Sequence, residues 1–467
     1  MHRLAQFSPI IVAVIMALFP APEGLTPEAW YFFSIFVGVV VGLIVEPVPA
    51  ALVGLAGVTA VALLGLVDPS PAASRAWALS GFSNSVIWLI FAAFMFALGY
   101  QKTGLGKRIS LILIKFLGRN TLGLGYAIAF ADGVLSPFMP SNTARSAGTI
   151  YPVVSNIPPM FNSTPDHEPR KIGAYLKWVG IAATCVTSSM FLTALAPNLL
   201  ALDLIQQASG VTISWGHWAA VMLPAMIPLF LFTPWLAYVI YPPTQKQSPE
   251  APAWATSELR KMGKISLREL MMLGYAILAL VLWIFGKQIG VDSTMAAIFV
   301  LTLMVLTGIL SWEDVITNKS AWNVLVWFAT LVAMASGLSK TGILEWLGNL
   351  VAAYLQGMPP TTVALLLVVL FFVLHYFFAS TTAHTTALLP LFMATAAPLM
   401  PAPMLAKLAL MLAASLGLMG IITPYATGPA PIWYGSGFIS QARWWALGAI
   451  FGAIFLGTMV ILTLVYI

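Results

Sequence analysis

Ser141-Asn142-Thr143-Ala144-Arg145 and Ser380-Thr381-Thr382-Ala383-His384 are two versions of one peptide, one in each half of the chain. Each follows an apolar run, sets three small polar side chains in a row, and then places a cationic or potentially cationic residue one helical turn further on. Only 8% of the residues are Asp, Glu, Lys or Arg, so polar groups repeated at such depth mark a site. The fold follows from what surrounds them.

The chain of 467 residues is 60% hydrophobic with a mean hydropathy of +0.93, more apolar surface than a soluble fold could hide. That makes it an all-α polytopic membrane protein. Its single cysteine, Cys185, excludes an internal disulfide and a Cys-rich metal site. A net charge of +6 fits basic cytoplasmic loops, and neither a nucleic-acid partner nor a cofactor is expected. Arg3 and the run from Phe7 to Leu18 also have the form of a secretory signal, but Pro20, Pro22 and Glu23 make a poor cleavage site, which favours an uncleaved first helix.

Apolar runs predict eleven spans: 7–20, 29–45, 48–67, 84–100, 172–195, 217–240, 268–286, 293–310, 321–338, 404–422 and 443–466. The regions 121–156 and 360–397 are apolar but interrupted by the two polar peptides, with Pro137 and Pro140 beside the first, and read as re-entrant hairpins of two half-spans. Amphipathic stretches at 105–118 and 343–356 precede them and suit the membrane surface. With a cytoplasmic N-terminus and alternating spans, sixteen of the 21 Lys and Arg fall inside. Arg75, Lys287, Lys340 and Lys407 fall outside, and Arg145 stands apart. This bias puts the C-terminus outside and the Pro-, Lys- and Glu-rich stretch 242–267 inside as a cytoplasmic linker.

The two halves repeat. Asn84, Trp88 and Lys102-Thr103-Gly104 are answered by Asn323, Trp327 and Lys340-Thr341-Gly342, at almost the same distance ahead of each tip serine. The alternation gives the copies opposite topology, dividing the chain into halves 1–241 and 268–467. Inverted repeats with interrupted helices are the architecture of secondary transporters, with the substrate where the repeats meet.

Ser141, Asn142, Thr143, Ser380, Thr381 and Thr382 offer hydroxyl and amide groups where a helix begins, so backbone N–H groups and a positive dipole end converge with them. An anion suits such a tip; its oxygens could equally hold Na⁺, and the same residues could simply cap the helix. Arg145 and His384 point to something negative nearby. Two plainer readings stay open: a salt bridge from Arg145 to an acid such as Asp132, and a neutral His384 hydrogen-bonded within the bundle. Breaks at Thr193 to Asn198, with Pro197 and Asn198, and at Thr423 to Pro429, with Thr423 and Pro424, expose carbonyls and amides at membrane depth, tolerated where they line a cavity. The spans contain no paired acids and no His-Glu zinc arrangement, so neither an intramembrane enzyme nor a metal site is expected.

Throughout its length the chain resembles the divalent anion/sodium symporter family. Pro140-Ser141-Asn142-Thr143-Ala144-Arg145, Ala383-His384 and Thr423-Pro424-Tyr425-Ala426-Thr427-Gly428-Pro429 bring it nearest the bacterial citrate/succinate and tartrate/succinate antiporter branch. The resemblance implies a homodimer in the inner membrane, with scaffold helices at 7–67 and 268–310. It also implies a transport domain that moves like an elevator with the cargo between the hairpin tips; besides the scaffold helices, the first half holds the hairpin 121–156 and the broken helix 172–209, and the second the hairpin 360–397, the broken helix 404–435 and the last helix 443–466. Di- or tricarboxylates such as succinate, citrate, tartrate and 2-oxoglutarate would be the cargo. Sodium-coupled members carry Ser-Asn-Thr at both tips, whereas the second tip here reads Ser380-Thr381-Thr382. That substitution leads to an expectation: Arg145 and His384 replace two Na⁺ ions as fixed charge-compensating groups, giving Na⁺-independent exchange. The alternative is a Na⁺- or H⁺-coupled dicarboxylate symporter.

Overall fold

A computed structural model describes residues 7–467, so Arg3 of the charge tally lies outside the described residues. Those residues are helical, and nine helices are long and apolar enough to cross a membrane: Pro27–Val45, Pro71–Thr103, Thr121–Phe138, Trp215–Ile240, Leu267–Phe285, Lys319–Lys340, Pro360–Phe377, Ala402–Ile421 and Gln441–Tyr466. Seven coincide with expected spans. Thr121–Phe138 and Pro360–Phe377 are the inbound limbs of the two hairpins, and at 18 residues, about 27 Å of helix, they exceed the half-spans expected.

The other expected spans are present as helices of a different character. Ser8–Leu18, Ala50–Leu63 and Ser293–Leu306 have 11, 14 and 14 residues, short of the roughly 20 that a bilayer requires. Ala50–Leu63 and Ser293–Leu306 stop alike, the chain leaving through Gly65 at φ 62° and Gly308 at φ 76°, left-handed conformations that glycine adopts freely. Gly173–Met190 is buried along its entire length and carries Lys177, Thr184, Thr187, Ser188 and Ser189; it faces protein on every side and has no need of a lipid-compatible surface.

The repeat is visible in local geometry. Gly104 and Gly342 adopt nearly identical left-handed conformations (φ 77°, ψ 6° and φ 78°, ψ 3°), each turning the chain into an amphipathic helix, Leu105–Leu117 or Ile343–Leu355. Thr103 and Thr341 each donate a 2.8 Å hydrogen bond to the carbonyl four residues back. Asn84 caps the helix Ser85–Thr103, but the corresponding cap of Lys319–Lys340 is Asn318, and Asn323 lies one turn inside that helix. Packing crosses between the copies: Ala50–Leu63 lies against Lys319–Lys340, and Ser293–Leu306 against Ser85–Thr103.

The stretch 242–267 is no loose loop. Helix Glu250–Met262 packs on Leu105–Leu117, with Lys107 paired to Glu258 at 3.3 Å. The buried Arg108 pairs with Glu269 and donates to the carbonyls of Met262, Gly263 and Lys264.

Candidate functional site

Each tip is made the same way. An inbound helix ends in a 3₁₀ turn, Ser136–Phe138 or His375–Phe377, and the chain reverses through the polar peptide into a second helix. Ser141 accepts a hydrogen bond from the Ala144 amide (3.1 Å) and Ser380 one from the Ala383 amide (3.4 Å), so both serines are N-caps. The return helix is π-type over Thr143–Ile150 in the first hairpin and α over Thr381–Ala396 in the second.

Both tips line one cavity of about 600 Å³. Ser141, Asn142, Thr143, Ser380, Thr381 and Thr382 all face it, together with Pro197. Its wall includes the starts of four helices of eight residues or more, at Thr143, Ala196, Lys319 and Thr381, whose amide ends attract an anion. Among the described residues no Lys, Arg or His lines it, and Glu46, exposed at a left-handed helix end, is the one charged lining residue.

The second helix break joins the tips. Asn142 donates to Thr427 Oγ1 at 2.8 Å, Thr381 donates to the Ala426 carbonyl at 3.2 Å, and His375 Nε2 lies 2.7 Å from that same carbonyl. At Gly428 a Cβ would stand 2.0 Å from Thr143 Oγ1, so glycine is required for the first tip to close on the break.

Three other expected residues are off the cavity. Asn198 is fully buried and its amide nitrogen binds the carbonyls of Ser188, Phe191 and Leu192, the acceptors freed by the first break. Thr423 and Pro424 are buried within the second break, where Thr423 Oγ1 accepts from the Tyr425 amide at 3.4 Å.

Arg145 and His384, expected as charge-compensating groups, do not line the cavity either. Arg145 is fully buried; its Nε lies 3.2 Å from both oxygens of Asp132, and its other nitrogens donate to the carbonyls of Met139 and Ala194, each at 2.7 Å, and to Thr187 and Ser188. Asp132 also accepts from Thr184 and Thr187. The plainer reading of Arg145 therefore applies: its charge is cancelled in place, because an unpaired guanidinium with no water would be far less stable. The imidazole of His384 sits among the rings of Phe371, Phe378 and His375, with centroids 4.4, 5.0 and 4.9 Å away and neither nitrogen hydrogen-bonded.

Residues 2–467 match the family described as the sodium:sulfate symporter transmembrane region. The chain belongs to that family. Similarity within it is high: proteins named L-tartrate/succinate antiporter from Shigella sonnei (strain Ss046) and Escherichia coli (strain K12) are 51% identical over 472 residues, 98% of this chain and 96% of theirs. Two solved transporters share the fold: YdaH of Alcanivorax borkumensis (TM-score 0.53, 16% identity, 83% of this chain and 86% of that one) and MtrF of Neisseria gonorrhoeae (TM-score 0.56, 13% identity, 100% and 94%).

Several cavity residues escaped the sequence reading: Thr427, Gly428, Gln101, Gly148, Asn318 and Ser320. A signal existed for two of them, since Thr427 and Gly428 belong to the second break. Gln101 lies at the end of Ser85–Thr103 and Gly148 on the return helix Thr143–Ile150, and only packing brings them to the wall.

Proposed function

We propose that this protein exchanges di- or tricarboxylates, such as tartrate, succinate, citrate or 2-oxoglutarate, one molecule in for one out across the bacterial inner membrane, without Na⁺. The observation that carries the reading is the convergence of both polar tips and four helix N-termini on one cavity of about 600 Å³ without a basic side chain among the described residues. Neutral donors and dipole ends suit a carboxylate that must bind and leave again. The names of the 51% identical relatives agree with tartrate and succinate as cargo.

Sodium independence is supported by what lies behind each tip. At the first, the guanidinium of Arg145 takes the carbonyls of Met139 and Ala194, the kind of oxygen a small cation would use. Behind the second, aromatic rings and His384 leave few oxygen ligands. In this sense Arg145 stands in for a cation structurally, while Asp132 removes its net charge. The hairpins and broken helices would travel together past the helices near 7–67 and 268–310, within a homodimer, with the N-terminus cytoplasmic and the C-terminus outside. The description of the family as sodium symporters favours one rival, Na⁺-coupled uptake. Proteoliposomes separate the two: labelled tartrate should enter vesicles loaded with succinate and be excluded from vesicles without it, in sodium and choline buffers alike. Uptake driven by Na⁺ into carboxylate-free vesicles would replace exchange by symport.

A further inference from the structure

Six charged side chains are buried among the described residues: Arg108, Asp132, Arg145, Lys177, Asp203 and Glu269. Arg108 pairs with Glu269 and Arg145 with Asp132, which leaves Asp203, hydrogen-bonded by Asn84 and Gln207, and Lys177, the one buried cation with no acidic partner. From the sequence it counts among the cytoplasmic-side charges, near the start of the span 172–195, yet it is 1% exposed. Its ammonium donates to Ser155 Oγ at 2.7 Å and lies 4.0, 5.6 and 5.7 Å from the ring centres of Tyr151, Trp433 and Phe438. Aromatic faces stabilise a cation without cancelling its charge. Asp132, the acid on the elements packed around it, is held at the level of Thr184, two helical turns or about 10 Å along the same helix, and is already committed to Arg145.

The cage joins the site-forming elements. Tyr151 and Ser155 follow the first tip, Lys177 is on the first broken helix, and Trp433 and Phe438 follow the second break, with Trp433 also donating to Ser146 of the first hairpin. Whatever moves the tips moves Lys177. We infer that Lys177 is the fixed positive charge that makes exchange obligatory: it penalises movement of the empty unit and is offset when a dicarboxylate is aboard. The inference rests on the exchange reading and supplies the charge that the Arg145–Asp132 pair does not.

The penalty for crossing a low-dielectric barrier grows with the charge left uncancelled, so a buried ammonium without an acidic partner holds the empty unit in place and a bound anion offsets it.

Lys177 is a positioning charge that touches no substrate, so the test reads transport mode. Proteoliposomes with and without internal succinate are given labelled tartrate. Lys177→Met should keep exchange within a few-fold and admit tartrate to succinate-free vesicles at least tenfold faster than the unaltered protein does. Ser155→Asp, which sets a carboxylate against the intact lysine, should do the same, and Lys177→Arg should remain obligatory. If both neutralising variants exchange and still require internal succinate while the unaltered protein is obligatory, the inference is wrong and the exchange reading stands. If neither transports at all while Lys177→Arg does, it is also wrong, the charge being needed for the loaded step. Free uptake by the unaltered protein would overturn the exchange reading and this inference together.

Discussion

The two hairpins place a side chain nine residues before the tip serine against one four residues after it. In the first hairpin the contact is Asp132 with Arg145, and in the second it is Phe371 with His384. One is an ion pair tied into hydroxyls and carbonyls that reaches across to the first helix break. The other is an edge-on ring contact extended by His375 and Phe378. A single backbone plan thus closes with opposite chemistries. The polar version fixes the first tip to the break behind it; the aromatic version packs the second tip without directional bonds, leaving Thr381 and His375 to find the Ala426 carbonyl.

The sharpest way to break this comparison is to unpair the first hairpin. Arg145→Met leaves Asp132 buried without its cation and should lower stability by about 3–5 kcal/mol and abolish exchange, measured by thermal unfolding in detergent and by counterflow. Transplanting the second hairpin's pair, Asp132→Phe with Arg145→His, should recover part of that stability; a double variant as unstable as Arg145→Met would show that the plans are not interchangeable. Next is Gly428→Ala, whose Cβ collides with Thr143 Oγ1. It should weaken carboxylate affinity more than tenfold, against little change for Gly435→Ala, where no atom lies within 4 Å. Asn142→Ala loses one buried hydrogen bond to Thr427, about 1 kcal/mol, and should raise the KM for tartrate about fivefold. The smallest effect belongs to the second hairpin: His384→Phe keeps a ring among rings and should leave exchange within about threefold. A complete loss of exchange in that correctly folded variant would restore His384 to a charge-bearing role.

Much of the fold was legible because it depends on local rules. Lys102-Thr103-Gly104 and Lys340-Thr341-Gly342 end their helices alike wherever they lie, since the left-handed glycine and the threonine back-bond are set within a few residues. The tips were legible for the same reason, and all six of their polar residues face the cavity. The direction of the side chains one turn later was not. The first return helix is π-wound, and Arg145 turns to Asp132, Met139 and Ala194 rather than to the ligand space. Charge type alone could not tell a cation facing substrate from one facing its own hairpin.

By itself the sequence determined the membrane environment, the helical class, the two tips and the two breaks, because hydropathy, proline and N-cap chemistry act over at most a few turns. Only the tertiary structure decided which charges are cancelled. Arg145 meets Asp132 across a hairpin, and Lys177 meets three rings drawn from both halves of the chain. Whether a buried charge is neutralised depends on what folding brings within a few ångströms of it, and that is a property of packing rather than of sequence spacing.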